Sequence, residues 1–178
     1  TIGELVVSQS FDFPSLYATR NKLNRLKIGA YDSQADVFRQ EKLLQAKELC
    51  LDIIMLRQQK QILEERLRNA EELAKMYAKR LQTGDANALE TNKINLELLN
   101  VKTEVSLNET ALRNKLQELS TLNGNLPVVF EESQYPAVPF PTDYQILKSE
   151  VLSADRTLMA LGNESLVARQ QIAVNKSQ

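Results

Sequence analysis

Two hydrophobic periods run along this chain, and each change of period marks a new element. Over residues 4–13, Leu5, Val7, Gln9, Phe11 and Phe13 fall on one side and Val6, Ser8, Ser10 and Asp12 on the other. That alternation predicts a short strand with one mostly apolar face. Pro14 ends it, and Ser15 is a suitable helix N-cap. From there the period lengthens. Leu16, Leu23, Ala30, Val37, Leu44 and Leu51 recur every seven residues. A second seam then takes over: Leu49, Ile53, Leu56, Leu63, Leu67, Ala70, Ala74, Tyr77 and Leu81, broken only by Lys60. Around 49–56 both seams are apolar, which predicts neighbours on two sides of one helix spanning 15–82. Proline is absent from 15–126, so nothing forces that helix to stop early, and Gly29 is its one weak point, a candidate kink. Glu64–Arg68 and Glu71–Lys75 have the spacing of helical ion pairs on the wet face.

Gly84 supplies a residue suited to the left-handed conformation that closes a helix. Asn87 followed by Glu90 has the spacing of a capping box. One helix therefore ends and another begins within a few residues, which predicts an αα-hairpin with its turn near 83–87. The return helix carries Ile94, Leu98, Val101, Val105, Leu112, Leu116, Leu119 and Leu122, and stops at Gly124. Residues 125–142 hold four of the five prolines and read as an extended connection. Thr142 with Gln145 has capping-box spacing, and a third helix is expected over 143–178. Its expected apolar positions are Tyr144, Leu147, Val151, Ala154, Leu158, Leu161, Leu166, Ala168 and Ile172, with a candidate bend at Gly162. The fold class is thus all-α: a long antiparallel coiled-coil helical hairpin plus a third helix, with one short N-terminal strand. The organisation divides at 1–14, 15–124, 125–142 and 143–178.

Composition narrows the chemistry. The 178 residues include no histidine, no tryptophan and one cysteine. A Ser-His-Asp triad, a Cys-His nucleophile and a His-ligated metal site all need residues that are absent. Cys50 lies between Leu49 and Leu51 and reads as a small core residue rather than a metal ligand. Met55, Met76 and Met159 are too scattered for a thioether relay. Glu64-Glu65 and Glu71-Glu72 lie on a charge-alternating helix and read as solvated faces, not acid/base pairs. The triplets starting at Asn108, Asn163 and Asn175 match the glycosylation pattern by chance, since all fall on expected helices. Net charge is −1, from 22 basic and 23 acidic residues, without the basic excess of a nucleic-acid binder. No enzyme activity, cofactor or metal is expected. No apolar run approaches the roughly 18 residues of a membrane helix. Thr1 opens inside an alternating pattern and Gln178 ends inside a helical one, so the chain is expected to be a piece of a longer protein.

The order strand, long coiled-coil helix, tight turn and return helix resembles one structural repeat of the TolC-type outer-membrane efflux proteins. The residues that carry the likeness are the turn Arg80-Leu81-Gln82-Thr83-Gly84-Asp85-Ala86-Asn87-Ala88-Leu89-Glu90 and the ending Leu119-x-x-Leu122-x-Gly124. The opening Gln9-Ser10-Phe11-Asp12-Phe13-Pro14 is similar to the strand-to-helix junction of the cation-efflux branch. Where relatives often carry an aspartate after the turn, this chain has Glu90. The resemblance implies a homotrimer with a shared outer-membrane β-barrel and a periplasmic helical tunnel. On that reading, 1–14 ends a barrel strand, 15–124 is the periplasmic hairpin and 143–178 begins the second repeat. Localisation would be the outer membrane, with this part mostly periplasmic. The function implied is a passive export conduit for heavy metal or drug efflux, linked by a periplasmic adaptor (membrane fusion) protein to an inner-membrane pump. Thr83, Gly84, Asp85, Ala86 and Asn87 would form the adaptor-contact tip. Two other classes fit part of the pattern: the hairpin of the adaptor itself, which should be flanked by β-rich halves, and a plain structural coiled coil, which leaves the strand unexplained.

Overall fold

A computed structural model describes residue 3 and residues 14–139 and 143–176. The expected strand over 4–13 and the expected cap at Thr142 lie outside the described residues. Among the described residues the fold is all-α, with four helices: α1 (Pro14–Thr83), α2 (Ala88–Leu122), α3 (Tyr144–Ala154) and α4 (Arg156–Lys176). Helix α1 opens at Pro14, one residue before the expected cap, because proline's fixed φ and missing N–H suit a first helical position. It runs without a break through Gly29. The chain forms two compact units, Thr1–Glu41 with Phe140–Gln178, and Lys42–Pro139.

In the unit Lys42–Pro139, the second seam of α1 is the buried one. Leu49, Ile53, Leu56, Leu63 and Ala74 are buried, as are Val101 and Leu119 of α2. Each large side chain of this kind contributes roughly 1.5–3 kcal/mol when fully buried. The ends of the first seam, Leu44 and Leu51, are exposed. Ion pairs flank the contact: Asp52–Lys115 at 3.0 Å, Lys60–Glu109 at 3.2 Å, Arg66–Glu104 at 2.8 Å and Glu71–Lys102 at 3.6 Å. Along this series α1 ascends while α2 descends, so the two helices meet in opposite chain directions. Glu64, expected to reach forward to Arg68, pairs backward with Lys60 at 3.7 Å.

Helix α2 ends in a pair of left-handed residues, Gly124 (φ 69°) and Asn125 (φ 63°). Gly124 N–H donates to the Thr121 carbonyl and Asn125 N–H to that of Ser120, the double closure of a Schellman motif. The proline-containing segment after it has neither helix nor strand over 126–139, as its composition predicts. Val128 and Phe130 from this segment pack on the cluster of Leu49, Ile53 and Leu119.

In the other unit, Leu16 and Leu23 of α1 form a small core with Val174 of α4, flanked by Val167. Here the structure corrects the sequence reading twice. The single helix expected over 143–178 is two helices, broken at Asp155, and Gly162 lies inside α4. Asp155 leaves the helical conformation (φ −70°, ψ 109°) while its N–H still donates to the Val151 carbonyl. Its carboxylate accepts from the Thr157 and Leu158 amides at 2.8 and 3.3 Å, so one residue ends α3 and caps α4. Asp143 caps α3, accepting from the Gln145 N–H at 2.7 Å. Second, the buried stripe of α4 is Ala160 and Val174, with Val167 half-buried between them. Leu158, Leu161, Leu166 and Ile172 are exposed. Amides occupy much of the contact with α1: Gln170 donates to the Thr19 carbonyl at 3.2 Å, Gln34 to Glu164 at 3.1 Å, and Asn163 to the Ser33 hydroxyl. Small and polar side chains therefore form this seam, and the larger apolar ones point outward.

Candidate functional site

The five residues singled out from the sequence, Thr83 to Asn87, form the whole reversal between α1 and α2. Gly84 takes φ 80°, the left-handed region where a side chain is strained. Gly84 N–H donates to the Leu81 carbonyl at 3.3 Å and Asp85 N–H to the Arg80 carbonyl at 2.8 Å, a second Schellman closure. The side chains tighten it further. The Thr83 hydroxyl donates to the Asp85 carboxylate at 2.6 Å. Arg80 donates to the Asp85 carbonyl at 3.0 Å, and its guanidinium lies 5.4 Å from the centre of the Tyr77 ring. On the α2 side, the Asn87 side chain accepts from the Glu90 N–H at 2.9 Å and Glu90 reaches back to the Asn87 N–H, completing the capping box. Thr91 adds a bond from its hydroxyl to the Asn87 carbonyl at 3.1 Å.

Each helix end therefore satisfies part of its orphan backbone groups within the turn itself, the Arg80 and Leu81 carbonyls on one side and the Asn87 and Glu90 N–H groups on the other, which tightens the turn. Thr83, Gly84, Asp85 and Asn87 are exposed, and Ala86 is half-buried. Leu81 and Leu89 flank the turn and are exposed at 40% and 65%. A polar, pre-formed loop between two exposed leucines suits recognition by a partner surface.

The other residues weighed from the sequence lie apart from the turn. Cys50 packs beside the Leu49–Ile53–Leu119 cluster, and burial pushes its thiol up from the ordinary value. No group of three or more metal-ligating side chains occurs among the described residues. Arg66 bridges two carboxylates of α2, Glu97 at 2.7 Å and Glu104 at 2.8 Å, and these bonds hold its guanidinium above the usual range. Lys115 is likewise raised by its bond to Asp52.

Sequence reasoning missed the anchorage of the segment after α2. Arg57 donates to the Glu132 carbonyl at 2.9 Å and to the Phe130 carbonyl, and stacks 5.6 Å from the centre of the Phe130 ring. Gln58 donates to the Ser133 carbonyl at 3.0 Å. A free guanidinium next to an amide, both on a helix, carries no sequence mark that they will bind backbone far along the chain. No helix among the described residues is long and apolar enough to cross a membrane. Comparison of the chain with protein-family models, curated proteins and solved structures found no match.

Proposed function

We propose that this chain is part of the periplasmic tunnel of a TolC-type outer-membrane efflux channel. The observation that carries the reading is the rigid turn at Gly84, closed by hydrogen bonds on both sides and flanked by exposed Leu81 and Leu89. In this reading α1 and α2 form an antiparallel coiled-coil hairpin. Residues 1–14 end a barrel strand, and α3 with α4 opens the second repeat. The turn meets a periplasmic adaptor protein, which couples the conduit to an inner-membrane pump. The channel is a homotrimer in the outer membrane and makes or breaks no bond; the pump supplies the energy. The outward apolar residues of both helices, including Ile62 of α1 and Leu96, Leu99 and Leu107 of α2, are consistent with further helices packing there.

The test uses the full-length protein in an export assay, with outer-membrane levels matched between variants. Asp85→Lys and Gly84→Val should reduce export while the channel still assembles. Normal export by both, alongside loss in the seam variant Leu63→Asp, would reduce the turn to a simple helix closure and remove the docking reading.

A further inference from the structure

We propose that Lys60 and Asn108 form a register key: one polar layer that selects a single alignment of α1 with α2 over alignments one heptad away. This goes beyond the export reading and does not depend on what the turn docks. Each helix has an apolar seam with a polar interruption. In α1 it is Lys60, between Leu56 and Leu63; in α2 it is Asn108, between Val105 and Leu112. The structure brings the two interruptions to the same level. Asn108 is only 4% exposed. Its amide donates to the Leu56 carbonyl at 3.2 Å and to Gln59 Oε1 at 3.1 Å. Lys60, next along α1, reaches Glu109, next along α2, at 3.2 Å.

A shift of one heptad in either direction separates the two. Asn108 would face the seam near Ile53 or Leu67, and Lys60 would face it near Val101 or Lys115. The Asn108 amide would then find another backbone carbonyl, at Leu49 or Leu63, but Gln59 would give way to Asp52 or Arg66, and Glu109 beside Lys60 to Lys102 or Leu116. Lys60 would lose its carboxylate and meet Lys102 in one alignment and Lys115 in the other, and in the second the Asn108 amide would meet the Arg66 cation, so like-charge repulsion disfavours both. In the observed alignment the layer is not optimised for stability. Asn108 Oδ1 is buried and has no hydrogen-bond partner, a penalty that leucine at this position would avoid. A polar residue kept in an apolar seam at a loss of stability is the known means of fixing coiled-coil alignment. The turn at Gly84 also constrains alignment, so the test must relax it.

The chain would carry Cys50→Ser and a flexible Gly/Ser insert between Asp85 and Ala86, long enough to permit a one-heptad shift. Cysteine pairs then report alignment on mild oxidation: Leu63→Cys with Val105→Cys for the observed register, and Leu63→Cys with Leu98→Cys or Leu112→Cys for the shifted ones. With Lys60 and Asn108 present, the observed-register bridge should dominate by roughly tenfold or more. With Lys60→Leu and Asn108→Leu, shifted bridges should become comparable. In the chain without the insert, Asn108→Leu should raise the thermal midpoint by a few degrees. The proposal is overturned if shifted bridges form equally with the layer intact, or stay rare without it. A lowered midpoint, or an unfolded Asn108→Leu chain, would also overturn it.

Discussion

Gly29, Gly84, Gly124 and Gly162 all have open space where a side chain would begin, with no neighbouring heavy atom within 4 Å. Substitution by alanine should nevertheless move stability in opposite directions, because backbone conformation alone decides. Gly29 lies inside α1 and Gly162 inside α4. There, alanine removes unfolded-state freedom and should stabilise by about 0.5–1 kcal/mol. Gly84 sits at φ 80° and Gly124 at φ 69°. An L side chain in that region costs about 1–2 kcal/mol, and a β-branched valine more. Gly29→Ala and Gly84→Ala should therefore differ by about 1.5–3 kcal/mol, the sum of the two effects. Urea unfolding measures this as shifts of midpoint at constant slope. Amide exchange gives the local counterpart: the Asp85 N–H, bonded to the Arg80 carbonyl at 2.8 Å, should exchange faster in Gly84→Ala and unchanged in Gly29→Ala. If Gly84→Ala proves neutral or stabilising, the positive φ does not hold the turn together and the reasoning fails.

Arg57→Ala removes two backbone bonds and a ring contact from the segment after α2. It should destabilise by about 1–3 kcal/mol and expose residues 126–138 to limited proteolysis, with Arg57→Lys falling between. Burial raises the Cys50 thiol in the folded chain, so its stabilising effect is complete below the unfolded thiol's pKa and is lost as pH rises through the folded value. Stability should thus decline on the alkaline side above roughly pH 8.5, and Cys50→Ala should lessen that decline; an unchanged alkaline profile would count against it. Asp155→Ala should cost about 1 kcal/mol and speed exchange of the Thr157 and Leu158 amides, whereas Asp155→Asn should preserve both.

The parts of the fold legible in the sequence were those written in period and punctuation. The seam from Leu49 to Leu81 is a long run of one period, and its buried members are the ones the spacing selects. Gly84 and the Asn87–Glu90 pair announce the reversal, because few residues tolerate those backbone conformations or cap so efficiently. The break at Asp155 was hidden because no proline or glycine marks it; a single carboxylate ends one helix and starts the next. The stripe of α4 was misassigned for a different reason. Large apolar residues usually reveal a core face, but Ala160, Val167 and Val174 are small, and Asn163 and Gln170 contribute hydrogen bonds instead. Asn108 looked like part of a chance glycosylation triplet, and only its depth against Leu56 gives it a role.

The closure of α2 also bears on how the protein ages. Asparagine followed by glycine is the dipeptide most prone to spontaneous deamidation, in which the glycine nitrogen attacks the asparagine side-chain carbonyl and expels ammonia. Asn123-Gly124 is such a pair. Here the attacking nitrogen is occupied: Gly124 N–H donates to the Thr121 carbonyl at 3.2 Å, and the Asn123 amide leans toward the Leu126 carbonyl at 3.5 Å. Ring closure must wait until the last turn of α2 unwinds. Conversion of Asn123, through the cyclic imide, to aspartate and isoaspartate thus acts as a chemical clock for the opening of that helix end. In stored protein it should run well behind the same dipeptide in an unfolded peptide, and equal rates by mass spectrometry would mean that the closure offers no protection.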